Sequence, residues 1–250
     1  MTVAATDPRA LLALWEQALP LRPAAREALL AGTPGATTLG AQRRGLLAAL
    51  QAQAGDHVPL RCHCPACGEA AELDIAPGDL LQALPVPEAR TGGAPEHRLD
   101  DGPWQLRFRL PAPADVQALA DEDDVERFVH RLLQRCVLEA RLDGQALDSG
   151  ALPAALPPPL CELLSARMEA LDSAAALALD VGCPGCGHAW TAPFDPGLAL
   201  WSLLQSQAEQ WLLDIDTLAR RYGWSEDQIL SLSSGRRQAY LQLARAQAEA

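Results

Sequence analysis

The sequence CPACG at residues 64–68 returns almost unchanged as CPGCG at residues 183–187. A Cys-x-x-Cys turn brings two thiolates to one metal ion, so each motif supplies half of a tetrahedral site. The Gly after each second Cys permits the positive φ at which backbone amides can point at the sulfurs. Four soft thiolates with no open position are typical of a structural zinc site. We therefore predict one structural Zn²⁺ ion, bound by Cys64, Cys67, Cys183 and Cys186.

The surroundings of the two motifs match as well when the chain is shifted by 119 positions without gaps. Val58 then falls on Leu177, and Pro77-Gly78 falls on Pro196-Gly197. Each half is predicted to be a strand, a knuckle, a second strand and a Pro-Gly break into a helix. Two such hairpins that face each other form a zinc ribbon. The residues between the two hairpins are an insertion that splits this ribbon in the sequence.

The fold class that follows is α+β and mainly helical, with a split four-cysteine zinc ribbon and a helical insertion between its halves. We divide the chain into N-terminal helices (1–56), the first knuckle hairpin with a short helix (57–84), a linker, strand and helical insertion (85–175), the second knuckle hairpin (176–195) and a C-terminal helical region (196–250).

Local patterns predict the main elements. Asp7-Pro8 and Thr38 are predicted helix starts, because Ser, Thr, Asp and Asn favour the N-cap position and Pro favours the first turn. Further predictions are a helix over 23–31, a loop over 85–103, a strand over 104–110, a helix over 122–141 that Gly144 ends, and a helix over 158–171.

The register of the repeat also sorts the neighbouring thiols and imidazoles. Cys62 aligns with Val181, so we interpret it as a packing residue. His63 aligns with Gly182, and His188 with Glu69, so neither recurs as a ligand should. Cys136 and Cys161 lie on apolar faces of predicted helices, so we interpret them as inert core thiols. His130 lies on a polar face of its predicted helix, so we expect its ring to be in solvent.

A redox dithiol and a disulfide pair are the alternatives to a metal site. Thiol oxidoreductases place one CPxC motif after a strand in a βαβ unit, and no such unit is predicted here. Seven cysteines without a secretion signal favour metal ligation over disulfides. Two symmetric copies of the motif fit a metal better than either alternative.

Apolar residues after Pro196 recur in steps of three and four, which is the pattern of a heptad seam. The simpler interpretation is a long amphipathic helix that packs on its own domain. The sharper one is a helix offered to a partner protein, with the seam residues as its binding surface: Trp201, Leu204, Trp211, Ile215 and Tyr222. Ser225 and Gln228 form a predicted capping box that opens another helix.

Composition limits the classes of function. The formal net charge of -12 opposes binding to nucleic acid, although a zinc-ribbon nucleic-acid-binding regulator stays the alternative function. No apolar run approaches the ~18 residues of a membrane span, and no signal peptide is evident, so we expect a cytoplasmic protein. We find no motif of a hydrolase, metalloprotease or nucleotide-binding site and expect neither catalysis nor a small-molecule substrate.

Several segments together resemble a known family. They are, in order, LLALWEQAL (11–19), CPACG with ELDI after it (72–75), WQLRFRLPAPAD (104–115), RCVLEAR (135–141), CPGCGHAWTAPFD (183–195), LARRYGWSEDQIL (218–230) and RRQAYLQL (236–243). This ordered set is similar to the T-even-type baseplate hub assembly chaperones of contractile-tailed phages and phage-like contractile injection systems.

The resemblance implies a non-catalytic protein whose partner is a baseplate hub or spike protein. It implies a role either during assembly alone or within the finished phage or phage-like particle. Relatives often vary in the knuckles, so metal binding does not define the family, whereas both knuckles are intact here. No partner-binding residue can be assigned from the family's motifs.

Overall fold

The computed structural model describes residues 7–32, 38–85, 95–147 and 156–246. In the described residues the helices are α1 (Pro8–Ala18), α2 (Pro23–Leu30), α3 (Leu39–Ala54), α4 (Pro77–Ala83), α5 (Pro113–Gln117), α6 (Val125–Cys136), α7 (Pro158–Leu171), α8 (Pro196–Tyr222), α9 (Glu226–Leu230) and α10 (Ser234–Ala246). The strands are β1 (Val58–His63), β2 (Ala70–Ile75), β3 (Glu96–Asp101), β4 (Trp104–Arg109), β5 (Val137–Leu142), β6 (Gln145–Ala146), β7 (Ala178–Gly182) and β8 (Ala189–Pro193). The fold is α+β and mainly helical, as predicted.

The internal repeat is present in the structure. Strands β1 and β2 form one antiparallel hairpin, and β7 and β8 form another. A helix follows each hairpin, and its first residue is Pro77 in one half and Pro196 in the other. Proline suits this position because its fixed φ is helical and the first amide needs no intrahelical partner.

The glycine after each of these prolines permits a close approach by a neighbouring helix. A Cβ on Gly78 would lie 2.5 Å from Nε2 of Gln51 on α3, and one on Gly197 would lie 2.7 Å from Cγ of Glu27 on α2. Both distances are shorter than any real Cβ contact. The Pro-Gly pair of each repeat therefore starts a helix and lets it pack tightly.

The main core joins the two halves of the repeat. It contains residues from α1, α2 and α3, from both hairpins and from the N-terminal half of α8. Its buried members include Leu46, Leu47, Leu50, Val58, Ile75, Phe194, Leu200 and Leu204. Ile75 ends β2 and Phe194 directly follows β8, at equivalent places in the repeat, so the end of each hairpin contributes one residue to the same core.

The segment between the hairpins contains a sheet as well as helices, which the sequence prediction missed. Strands β3 to β6 form a four-stranded sheet in sequence order. Its core is separate from the main one and packs Leu106, Phe108 and Ala140 of the sheet against Leu160 and Leu164 of α7.

The prediction of one helix over residues 122–141 is wrong at its C-terminal end. Helix α6 ends at Cys136, and Val137–Leu142 forms β5, which pairs with β4. Val137 and Ala140 are the buried residues of β5, and they lie three positions apart. This spacing also suits the buried face of a helix, so the sequence pattern does not distinguish the strand from a helix. Gly144 does not end a helix. It follows Asp143 in the β5–β6 turn, and both have positive φ (51° and 77°), which is typical of a tight hairpin turn.

The predicted loop over residues 85–103 is also corrected in part. Residues 96–101 form β3, which pairs with the predicted strand β4 in the register Glu96↔Arg109. Strand β3 lies at the edge of its sheet, where exposed charged side chains alternate with half-buried residues. The many charged residues give this segment the composition of a loop. Residues 86–94 lie outside the described residues.

The C-terminal helices add a third, smaller core. Leu218 of α8, Ile229 of α9 and Leu241 of α10 are its buried members. The predicted capping box is confirmed: the Ser225 hydroxyl accepts from the Gln228 amide, and the Gln228 side chain accepts from the Ser225 amide. No helix in the described part of the chain is long and apolar enough to cross a membrane.

The N-terminus of α3 connects the main core to the insertion. The Leu39 amide donates to the carbonyl of Pro111, 2.8 Å away, just beyond β4. The Gly40 amide donates to Oδ2 of Asp172, 2.9 Å away, at the end of α7. Two points of the insertion, one just beyond β4 and one at the end of α7, therefore meet the first turn of the same helix.

Replacing Gly40 by Ala is expected to weaken this junction. A Cβ there would overlap the Asp172 carboxylate, which must then move and give up its hydrogen bond to the helix terminus. The loss of such a cap costs about 1 kcal/mol. Urea denaturation of Gly40→Ala should show a lower midpoint at an unchanged slope.

Gly235→Ala is the matched control, since Gly235 lies in α10 and a Cβ there meets nothing within 4 Å. This variant should be neutral or slightly more stable. In an Asp172→Ala background Gly40→Ala should cost little. An equal cost in both backgrounds would show that Asp172 is not the cause.

Candidate metal centre

The two knuckles have the same backbone hydrogen bonds. In the first, the Cys64 amide donates to the Glu69 carbonyl (2.8 Å) and the Gly68 amide donates to the Cys64 carbonyl (2.8 Å). In the second, the Cys183 amide donates to the His188 carbonyl (2.8 Å), and the Gly187 amide donates to the Cys183 carbonyl (3.0 Å). Each knuckle is thus a tight turn that closes the end of its hairpin.

Glycine is required at the last position of each turn. Gly68 has φ of 76° and Gly187 has φ of 71°, in the left-handed region that favours glycine. The prediction that these glycines adopt positive φ is confirmed.

The two turns bring four sulfurs together from distant parts of the chain. The Sγ atoms of Cys64 and Cys186 are 3.8 Å apart, and those of Cys67 and Cys183 are 3.6 Å apart. All four sulfurs lie within 4.8 Å of one another. Sulfurs at the corners of a tetrahedron with metal bonds of about 2.3 Å are separated by about 3.8 Å. The cluster therefore has the dimensions of a tetrahedral metal site.

The two knuckles contact each other directly beside the sulfurs. A Cβ on Gly185 would lie 3.3 Å from Cγ of Glu69, tighter than most real Cβ contacts. A side chain at this position, where the first knuckle has Ala66, would require Glu69 to shift by a few tenths of an ångström. The repeat pairs Glu69 with His188 and predicts no other role for it. The Ala-to-Gly difference between the motifs was the available signal for this contact.

Each knuckle has one buried and one exposed thiol. Cys64 and Cys183 are only 2% and 5% exposed, whereas Cys67 and Cys186 are exposed. The same assignment in both halves follows from the repeat. The centre lies at the tips of the hairpins, with its inner sulfurs against protein and its outer sulfurs toward solvent.

The neighbouring groups give the four thiols different proton affinities. The backbone amide of Cys186 lowers the pKa of Cys183 to about 7, although partial burial opposes the shift. The backbone amide of Glu69 lowers the pKa of Cys67, but contacts with the sulfurs of Cys186 and Cys183 raise it to about 12. Without a cation, a second thiolate in this cluster is therefore unfavourable beside the first.

The pKa of the Cys186 thiol is raised in the same way as that of Cys67. The backbone amide of His188 lowers its pKa, but its sulfur contacts with Cys183 and Cys64 leave the pKa above the ordinary value for a thiol. A metal ion changes this balance, because ligation requires thiolates and so releases their protons.

The other cysteines and histidines lie apart from the cluster. Cys62 is half-buried, and its Sγ donates to the carbonyl of Ala71 at 3.8 Å. Cys136 is fully buried, and burial raises its pKa to about 12, so its predicted role as a core thiol agrees with its position. His63 and His188 are exposed, and neither belongs to the cluster.

The predicted setting of His130 is wrong. Its ring is half-buried, and Nδ1 lies 3.9 Å from Sγ of Cys161 on α7. The reason is that α6 packs against α7, so a side of α6 that is polar in sequence faces another helix.

The structure uses the predicted seam of α8 for packing within the chain. Trp201 and Leu204 are 8% and 1% exposed in the main core, and Trp211 and Ile215 pack against it. Tyr222 stacks on Trp224 and contacts Tyr240. The interpretation of the seam as an internal packing surface therefore describes the structure, and Trp201 and Leu204 are not available to a partner.

Arg237 and Asp214 complete the packing around Trp211. The guanidinium carbon of Arg237 lies 3.5 Å from the centre of the Trp211 ring, and its Nε lies 3.4 Å from Oδ2 of the buried Asp214. These contacts bind α10 to α8 and cover the middle of the seam.

Comparison of the chain with protein-family models, curated proteins and solved structures finds no match. The four sulfurs have a suitable separation, and two matching turns position them.

Each of the four cysteines is expected to be necessary for metal binding. Cys64→Ser or Cys183→Ser replaces a soft ligand by a hydroxyl that binds soft metals poorly, so the purified variant should lose its metal. Cys62→Ser is the matched control and should retain one metal ion per chain. Elemental analysis of the purified proteins measures this. Retention of a full equivalent by both cluster variants would contradict the site.

Metal affinity is expected to fall steeply at low pH. The pKa values of Cys67 and Cys186 lie above the ordinary value, so both thiols are protonated across pH 6–8 before binding. Each such thiol weakens binding about tenfold for every unit of falling pH, so these two thiols alone give at least about 10⁴ over two units. Competition with a chromophoric chelator at pH 8 and pH 6 measures the change. A difference below about tenfold would show that fewer thiols ligate.

Proposed function

We propose that the four-cysteine cluster binds one zinc ion with a structural role. Soft thiolates select zinc or iron in a tetrahedral sulfur site, and zinc is the usual occupant of closed four-cysteine ribbons. Four protein ligands leave no coordination position for a substrate or an activated water. The observation that carries this proposal is the convergence of Cys64, Cys67, Cys183 and Cys186 within 4.8 Å.

The zinc ion connects two elements that the backbone leaves separate. Each hairpin is a two-stranded sheet of its own, and no ladder joins the two sheets within the described residues. At their bases the hairpins share the main core, but at their tips the metal supplies the bonds. Structural zinc contributes on the order of 10 kcal/mol of apparent folding free energy in small zinc domains.

We further propose that the protein is a non-catalytic assembly chaperone or structural component for the baseplate hub of a contractile phage tail or injection system. The resemblance along nearly the whole chain supports this function. A closed metal centre is consistent with it, because the metal then serves the fold and no reaction. The proposed partner is a baseplate hub or spike protein.

The outer face of α8 is the surface we assign to this partner, because the seam faces inward. Leu213 is 61% exposed and Leu212 is 43% exposed on the C-terminal half of the helix, and Leu198 is 64% exposed near its start. Leu212 and Leu213 are adjacent and both exposed, and a contiguous exposed apolar patch is typical of a protein–protein contact surface.

Co-expression with a candidate baseplate hub protein and with a candidate spike protein tests the function. The protein should co-purify with one of them, and Leu213→Glu should reduce the recovered complex about tenfold, equivalent to about 1.4 kcal/mol of binding free energy. A charge at this position disrupts an apolar contact without disturbing a buried residue.

Ala166→Glu is the matched control, because it adds the same charge to an exposed helical position on α7. It should bind like the unaltered protein. If neither hub nor spike binds the unaltered protein, the chaperone function is wrong. If both variants bind normally, only the assignment of the α8 face is wrong. Salt-dependent binding to nucleic acid would instead support the regulator.

A further inference from the structure

The outer half of the metal centre is open to solvent. Besides the thiols of Cys67 and Cys186, the turn residues around them are exposed, at 65–68 and 184–187. The inner thiols, Cys64 and Cys183, are 2% and 5% exposed. Cys67 and Cys186, one in each knuckle, are therefore the cluster residues most open to a soluble oxidant.

We propose that the centre is a site of reversible oxidation by hydrogen peroxide, with the exposed sulfurs of Cys67 and Cys186 attacked first. This inference rests on the proposed zinc site and adds a regulatory modification to it. Zinc-bound cysteines are thiolates, which are the form that reacts with peroxides. Exposure then decides which of the four reacts.

The first step is attack by one thiolate on peroxide. The sulfur of Cys67 or Cys186 forms a bond to one oxygen, the O–O bond breaks, and hydroxide leaves. The products are a sulfenic acid and a site with one thiolate fewer. The sulfur loses two electrons, and the peroxide gains them.

A neighbouring thiolate completes the reaction. Cys183 Sγ lies 3.6 Å from Cys67 Sγ, and Cys64 Sγ lies 3.8 Å from Cys186 Sγ. Attack on the sulfenic sulfur forms an S–S bond and expels the oxygen as hydroxide. Two molecules of hydrogen peroxide thus convert four thiolates into two disulfides, four hydroxide ions are formed, and the chain loses its zinc ligands. A thiol reductant reverses the change.

The two cysteines of the insertion are poor competitors for the oxidant. Cys136 is fully buried, and burial raises its pKa to about 12, so its thiolate is scarce and inaccessible. Burial also raises the pKa of Cys161. Oxidation should therefore begin at the metal centre and leave the core of the insertion intact.

A pair of histidine variants tests the role of exposure. Histidine still ligates zinc but does not form disulfides. The double variant Cys67→His, Cys186→His replaces the two exposed sulfurs, and Cys64→His, Cys183→His replaces the two buried ones. Each protein is loaded with zinc, treated with millimolar hydrogen peroxide, and followed by a chromophoric zinc chelator.

The unaltered protein should release zinc and form disulfides that mass spectrometry maps to the four cluster cysteines. Release from the variant without exposed sulfurs should be at least about tenfold slower, whereas the variant that retains them should release zinc about as fast as the unaltered protein. Equal rates for the two variants, or zinc retained by the unaltered protein throughout, would overturn the proposal.

A second measurement on the unaltered protein keeps the test decisive if the variants do not bind zinc. Brief treatment of the zinc-loaded protein with peroxide in the presence of a sulfenic-acid probe should label Cys67 and Cys186 before Cys64 and Cys183. Labelling of the buried pair first would contradict the proposal. A protein that never binds zinc would instead refute the proposed metal site, so the two failures are distinguishable.

Discussion

The structure depends on one constraint: two hairpins, far apart in sequence, must place their tips together. Cys64 and Cys67 belong to one tip, and Cys183 and Cys186 to the other. The shared core holds the bases of the hairpins through Ile75 and Phe194. At the tips, four thiols this close together do not all ionise favourably without a cation, and the cluster has the dimensions of a tetrahedral metal site.

The internal repeat explains how the chain accommodates a long insertion. Each half of the ribbon ends in its own Pro-Gly helix, so the first half is complete before the chain leaves the main core after α4. The insertion then forms a separate core around its four-stranded sheet. Contacts of Pro111 and Asp172 with the first turn of α3 help to join the two cores.

The ribbon could be predicted from the sequence because its signals are local and duplicated: Cys-x-x-Cys-Gly, alternating strands and Pro-Gly occur twice in one register. Strand β5 could not, because Val137 and Ala140 have a spacing that suits a buried helix face equally, and its partner β4 is remote in sequence. The inward seam of α8 depends on α10, which follows it and supplies Arg237 to cover Trp211. Periodicity shows that a helix is amphipathic but does not show what covers its apolar face.

X-ray absorption spectroscopy at the zinc edge tests the central claim most directly, because it reports the ligands of a metal in the intact protein. Protein purified under reducing conditions should give four sulfur neighbours at about 2.3 Å and no nitrogen or oxygen shell. A mixed shell would contradict the convergence of all four cysteines on one ion. So would protein that folds fully and contains no metal.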